Sequence, residues 1–370
     1  MRFRKMHFRK TTPPNVATRL PRRVILTAAF ACLLTSPSGA QDDQGKSSVH
    51  VKPSHASPPA KQGHWILLGA QGRLVLTDPA GKIRWEMPWN NIHDLHWTDA
   101  GEILTRRGKY EVVRINPVTK QVTWSVDVRK LSNRPVELHA FEPLANGRTM
   151  VALSGAAKII EINDDGSIAH AFSLTTQTPS LHSDTRLVRA DVGGGDPSQS
   201  DPSQSDSGPA GYWVAHEKDG AVRRYDHEGT VIWEYTVPLF GRPRASGHGP
   251  EAFGNQVFSA IPDGTGGVWL GTGNGHSVLR VSPEKKILWQ LGQDDLPGIR
   301  LAWVTNVHPT NEGTILIGNC HAGPGQPIVV EVDLKTRQAV WQLAGFKRFG
   351  NNVSNTLPLT APQAARLVGN

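Results

Sequence analysis

One aromatic position recurs along this chain and restricts the fold more than any other feature. GKIRWEM carries Trp85, KQVTWSV Trp124, GTVIWEY Trp233, KKILWQL Trp289 and RQAVWQL Trp341. A sixth copy, GSIAHAF, has His170 at that place. Each indole follows a Gly, Lys or Arg turn position by four residues. Ahead of that turn another apolar run ends in Asp78, Asn116, Asn163, Asp226, Ser282 or Asp333. Strand, short turn, strand and aromatic anchor, repeated every 39 to 63 residues, is the pattern of a β-propeller blade.

Counting anchors predicts an all-β, six-bladed propeller of four-stranded antiparallel blades. The blades fall at about 64–90, 91–130, 136–175, 184–241, 253–293 and 300–347. The runs between them alternate apolar and polar residues and break at Gly, Asn, Asp and Pro, with no convincing amphipathic helix. The tail FGNNVSNTLPL, 349–359, resembles FGNQVFSAIPD, 253–263, at the start of the fifth blade. It reads as an innermost strand without a blade of its own, and the first blade lacks one. The C-terminal strand is therefore expected to pair with the first blade and close the ring, leaving 360–370 as a tail. Residues 193–209, GGGDPSQSDPSQSDSGP, have no large apolar side chain and read as a disordered insertion in blade four. The tryptophans are expected to pack between adjacent blades.

The basic character of the whole chain misleads. Residues 1–23 hold eight Lys/Arg and no acid, and the apolar run 24–35 and small residues up to Ala40 follow. That order reads as a signal peptide, 1–40. Its apolar core is too short to span a bilayer comfortably. Residues 41–62, polar and rich in Pro, Ser and Lys, read as a disordered tether to a propeller spanning 63–359. Without the leader, 32 basic residues face 32 acidic ones, so no surplus remains to neutralise phosphates and nucleic acid is excluded as a partner. Cys320 is then the one remaining cysteine. A disulfide within the domain is impossible, and a domain of this size does not need one.

Propellers bind and react along the channel lined by their innermost strands. Aligned on the turn glycines Gly101, Gly147 and Gly313, His93 and His139 share one register, and His96 and His308 share another. Asn255, Asn306, Asn351 and Asn355 add neutral hydrogen-bonding groups. These eight are the candidate ligand-binding residues. No metal site is expected, because zinc sites gather three or four ligands with outer support. His93 and His96, three apart, should point to opposite faces unless a bulge intervenes. GTGNGH, 271–276, lies between strands and reads as a loop. Cys320 beside His321 reads as a buried, inert thiol.

The repeats Asn116-Pro117-Val118-Thr119-Lys120 with Trp124, and Asp333-Leu334-Lys335-Thr336-Arg337 with Trp341, resemble those of exported bacterial propellers of the quinoprotein-like superfamily. The turns Asn146-Gly147-Arg148-Thr149-Met150-Val151 and Glu312-Gly313-Thr314-Ile315-Leu316-Ile317 are similar to the propeller of arylsulfotransferase-like proteins. The resemblance implies the fold over nearly all of 64–359; fold by itself does not imply an activity. Pyrroloquinoline quinone dehydrogenases within that superfamily use Ca²⁺ and, in many cases, an adjacent-cysteine disulfide. This chain has neither an obvious Ca²⁺ carboxylate cluster nor the cysteines, so no cofactor is expected. Arylsulfotransferase likeness implies a histidine nucleophile among His93, His139 or His308, with Arg300 or Arg107 as the stabilising cation. The expectation is an exported, monomeric, non-catalytic module of periplasm, cell envelope or extracellular space. It would recognise a small polar ligand or protein segment at the channel mouth; the alternative is arylsulfotransferase-like group transfer.

Overall fold

Strand-forming runs, most of them four to seven residues long and stopped by turns, build nearly all of the described domain. The computed structural model describes residues 63–90, 92–191 and 208–369. The leader, the tether and nearly all of the blade-four insertion lie outside them. The described strands form six four-stranded antiparallel sheets. From innermost to outermost, blade 2 runs from His96–Trp97 to Val122–Asp127 and blade 3 from Glu137–Pro143 to Ile168–Ser173. Blade 4 runs from Val188–Asp191 to Val231–Thr236, blade 5 from Ser259–Pro262 to Ile287–Leu291, and blade 6 from Trp303–Pro309 to Ala339–Leu343.

Blade 1 is assembled from both ends of the domain. Its inner strand is Thr356–Leu359, which pairs Leu359 with Trp65 and Thr356 with Leu68 of strand Trp65–Ala70. The sheet ends at Ile83–Pro88. The expected closure of the ring is therefore present. Pro358 sits in that channel-side strand, where an edge tolerates the missing N–H.

Five of the six turns before the anchors are built the same way, and in blade 3 Asp165 Oδ1 takes the accepting role, receiving Ser167 N at 2.9 Å. Asp78 Oδ1 accepts from the backbone of Ala80 and Lys82, Asn116 Oδ1 from Val118 and Thr119, and Asp333 Oδ1 from Lys335 and Thr336. The position four before each anchor is left-handed, with φ of +57° to +89° at Gly81, Lys120, Gly166, Gly229, Lys285 and Arg337. That explains the glycine at three of these positions, while Lys120, Lys285 and Arg337 adopt the same φ against the usual steric preference. Every blade shifts register at this place, as between Leu76 and Thr77.

The anchors do more than fill space. Trp85 Nε1 donates to the Pro117 carbonyl at 3.0 Å, Trp124 to Asp164 at 2.8 Å and Trp233 to Pro283 at 2.8 Å. Trp289 donates to Leu334 at 2.9 Å and Trp341 to Pro79 at 3.2 Å. Each acceptor is the residue after the turn-forming side chain of the next blade, so the last anchor reaches around to the first. His170 keeps the pattern, with Nε2 2.7 Å from the His227 carbonyl. Trp85 is buried; the other four indoles are half-buried, so their contribution is part packing and part hydrogen bond.

Six apolar clusters fill the six seams. One joins Leu74, Leu76 and Trp85 to Ile103 and Val113, and another joins Ile66, Leu68 and Val75 to Val329 and Leu343. The tail 360–370 carries a helix the sequence pattern did not reveal, α2 at Ala361–Val368, preceded by the single turn α1 at Phe346–Phe349. Thr360 and Gln363 form a reciprocal capping box, and Ala364 and Leu367 bury against the seam of blades 1 and 2. At eight residues, α2 is too short for its periodicity to stand out. No helix among the described residues is long and apolar enough to cross a membrane.

Candidate functional site at the channel mouth

Innermost strands begin irregularly, and this turns two residues three apart toward the channel. Register shifts fall between Leu138 and Ala140 in blade 3 and between Val304 and Val307 in blade 6. In blade 2 the regular strand starts only at His96. His93 lies at a bend before that strand, so strand alternation does not apply to His93 and His96, and no bulge is needed between them. His93, His139 and Arg186 stand in an upper layer at the mouth. His96, Glu142, Arg189 and His308 stand in a layer below.

The upper layer is a network around Arg186. The His93 and His139 rings are 4.7 Å apart, and His182 is 4.8 Å from His139. Arg186 Nη1 lies 3.4 Å from His93 Nδ1 and 3.3 Å from His139 Nδ1. Its Nε and Nη2 both reach Glu217 Oε2 at 2.5 Å. Guanidinium can only donate, so both histidines accept at Nδ1 and carry their proton on Nε2. His139 Nε2 donates to Glu137 Oε2 at 3.2 Å, and that oxygen is also 2.9 Å from His182 Nδ1. Lys109 binds the other oxygen of Glu137 at 2.6 Å. Burial, reinforced by Arg106 and Arg186, keeps His93 neutral far below its usual range. Burial likewise pushes His139 down to about 3. Hydrogen bonds, that of His139 foremost, hold the Glu137 carboxyl well below the carboxylate range.

The lower layer centres on Asp94. Arg189, two blades away, grips it with two bonds of 2.8 Å. Phe141 N and Asn355 Nδ2 add bonds of 3.3 Å, and His96 Nε2 is 3.3 Å away. Four blades thus meet on one carboxylate. Burial opposes its charge, and Arg189 and His96 overcome that, holding the acid well below its usual value. Burial raises Glu142, whose Oε2 accepts from Ala190 N at 2.6 Å. His308 Nε2 donates to the Thr356 carbonyl at 2.6 Å, and burial lowers its pKa to about 4.

The four candidate histidines therefore divide into two pairs and do not meet at one point. Asn306 binds the Thr356 carbonyl at 2.7 Å, and Asn355 binds the His93 carbonyl at 3.1 Å. Asn255 donates to the Val237 carbonyl, and Asn351 Oδ1 accepts from Gly323 N. All four asparagines are engaged in holding loops and strands together. Arg300 and Arg107, the cations suggested for group transfer, lie elsewhere, paired with Asp294 and Glu111. The channel cations are Arg106, Arg186 and Arg189. Sequence reasoning missed Arg186, Arg189, Glu137, His182 and Glu217. One signal was available: His93-x-x-His96, His139-x-x-Glu142 and Arg186-x-x-Arg189 repeat a polar pair at the same spacing on consecutive blades.

A cavity of about 250 Å³ opens at the mouth between His93, Arg186, Gln256, Trp303 and His321. His248 stacks on Trp303 at 5.1 Å. Cys320 is buried at its edge, its Sγ 3.5 Å from the Asn351 carbonyl, and burial pushes the thiol up to about 12, which makes it a poor nucleophile. Loop 271–276 holds its His276 between the carbonyls of Ala302 and Ala252. Among the described residues, Glu137, His139 and His182 are grouped closely enough for a metal ion. Ligating histidines normally donate from their second nitrogen to an acceptor, but His139 has the Arg186 cation there. The group suits a hydrogen-bonded network better than a metal. Nor do the residues fit a quinone with several carboxylates, since Arg186 and Arg189 are each committed to an acid.

A family model described as outer membrane protein assembly factor BamB matches residues 70–343. A solved protein of unknown function from Bacteroides caccae is similar, with a TM-score of 0.62 and 19% identity, over 80% of this chain and 99% of that one. A streptogramin B lyase aligns with a TM-score of 0.48 and 11% identity, over 76% and 83%. An inactive virginiamycin B lyase from Staphylococcus aureus with quinupristin aligns at 0.44 and 13%, over 75% and 86%. At such identities the first likeness shows the fold alone, and the two lyases carry no argument about this chain. No curated protein matches the sequence.

Proposed function

The chain belongs to the outer membrane protein assembly factor BamB family, and on that premise we propose that it is an exported, non-catalytic binding module of the cell envelope. Its ligand is a small polar molecule or a protruding protein side chain held at the channel mouth. The observation that carries this reading is the cup formed by the two layers. The mouth is open and lined by polar and aromatic groups, while the Asp94–Arg189 pair crosses the channel beneath it. At about 250 Å³ the cup is below the usual size of drug-like sites, which favours a compact guest. The leader-like first 40 residues and the envelope role named for the family support export.

The protonation pattern favours binding over group transfer. A nucleophilic histidine needs a lone pair aimed at its substrate, and Arg186 occupies that of His93 and of His139. The test pairs a thermal-shift screen of polar metabolites with incubation in 4-nitrophenyl sulfate and a phenol acceptor. A stabilising hit that disappears in Arg186→Met, with no sulfate turnover, is the expected result. Turnover that is lost in His93→Ala would replace this reading with the enzymatic one.

A further inference from the structure

Among the side chains that line the mouth cavity, His93, Gln256 and Trp303, on three blades, each carry an N–H donor without a partner among the described residues. His93 accepts from Arg186 at Nδ1, so its proton sits on Nε2, which has no acceptor among the described residues. Gln256 is fixed by a relay. Asn274 Oδ1 accepts from the Gln256 backbone N at 2.9 Å, which turns Asn274 Nδ2 toward Gln256 Oε1 at 2.8 Å. The amide NH₂ of Gln256 is thereby left for the cavity it lines. Trp303 is 6% exposed, and its indole N–H has no acceptor among the described residues. An indole can donate only, and a buried one normally finds a partner. In contrast, the hydroxyl proton of Ser354 and the thiol proton of Cys320 point to backbone carbonyls. The Glu217 carboxylate in the wall is neutralised by Arg186.

Resting on the binding reading above, we propose that the mouth is a receptor for a single carboxylate, presented by a small organic acid or by the C-terminus of a peptide. Unpartnered donors on three residues of one cavity match the acceptor-only oxygens of a carboxylate. Arg186, the one arginine in the wall among the described residues, is paired with Glu217, and no lysine lines the cavity there, so a monoanion suits the site better than a phosphate dianion. The aromatic wall of Trp303 and His248 accommodates an apolar group beside the carboxylate.

Benzoate, benzylamine and inorganic phosphate are titrated into the full-length protein while the indole N–H resonances are followed by ¹⁵N NMR, with Trp303→Phe assigning its peak. Benzoate is expected to move the Trp303 signal, and benzylamine and phosphate are not. Trp303→Phe should weaken benzoate by about tenfold, the loss of one hydrogen bond to a charged group. Gln256→Glu retains the bond from Asn274 but turns a donor into an acid, and should weaken benzoate more than tenfold. Unchanged melting temperatures establish that both variants fold. An acetylated tripeptide with a free terminus, compared with its amide, distinguishes the sources: tighter binding of the acid than of benzoate assigns a chain terminus. Stronger effects from benzylamine or phosphate than from benzoate overturn the carboxylate assignment and leave the binding module standing. Silence of Trp303 to all probes also overturns it. A metabolite hit sensitive to Arg186→Met then keeps the broader reading, and the absence of one removes both.

Discussion

Each anchor tryptophan has two separable roles, the burial of a ring and the donation of a hydrogen bond to the following blade. Trp233→Phe preserves most of the ring and leaves the Pro283 carbonyl to water. The expected cost is about 0.5–1.5 kcal/mol, read as a melting-temperature loss of a few degrees; no loss would reduce the indole to simple packing. The repeat position was legible because a tryptophan is conspicuous. Its carbonyl partner was not, since any residue can supply a carbonyl. Titration also belongs to this scale. Burial holds His308 and His216 at about 4, against 6.5 for a free imidazole. Above pH 6.5 both folded and unfolded chains are neutral there. Between 6.5 and about 4 the unfolded chain takes up protons that the native one refuses, so stability falls as pH falls. Melting curves from pH 7.5 to 4.5 should show a steady decline, on the order of a few kcal/mol for the two groups. A flat profile over that range would contradict their burial in neutral form.

At the scale of elements, the last strand and helix act together. Thr356–Leu359 supplies the inner strand of blade 1, and α2 covers the seam of blades 1 and 2 with Ala364 and Leu367. Removing 349–370 exposes the edge of the first blade and opens an apolar cluster. The truncated protein should lose its cooperative unfolding transition, and a wild-type melting temperature would refute closure by this strand. Thr360→Ala removes only the cap of α2, and about 1 kcal/mol is expected from that loss. The strand could be inferred from its likeness to 253–263, whereas the helix, only eight residues long, carries too little pattern to be seen before its docking surface is known.

For the whole molecule the unusual feature is the ionic layer that spans the ring. Asp94 receives donors from blades 1, 2, 3 and 4, so it couples blades that do not touch through their apolar seams. Arg189→Met keeps the stem and removes the charge, leaving Asp94 buried without its main partner. A loss of about 3–5 kcal/mol is expected, measured by denaturant unfolding. A change below 1 kcal/mol would mean that water or another group takes the arginine's place.

Blade number, the turn chemistry, the presence of a spare closing strand and the repeated positions of His93 and His139 and of His96 and His308 could be read from sequence, because period-two strands, left-handed turn positions and repeated anchors act within a few residues of one another. The site itself was decided by tertiary structure. Arg186 meets His93 across 93 positions of chain, and Asn355 meets Asp94 across 261. Closing the ring brings such groups together, and only that closure decides which nitrogen carries a proton, which amide faces the cavity, and which arginine is already neutralised.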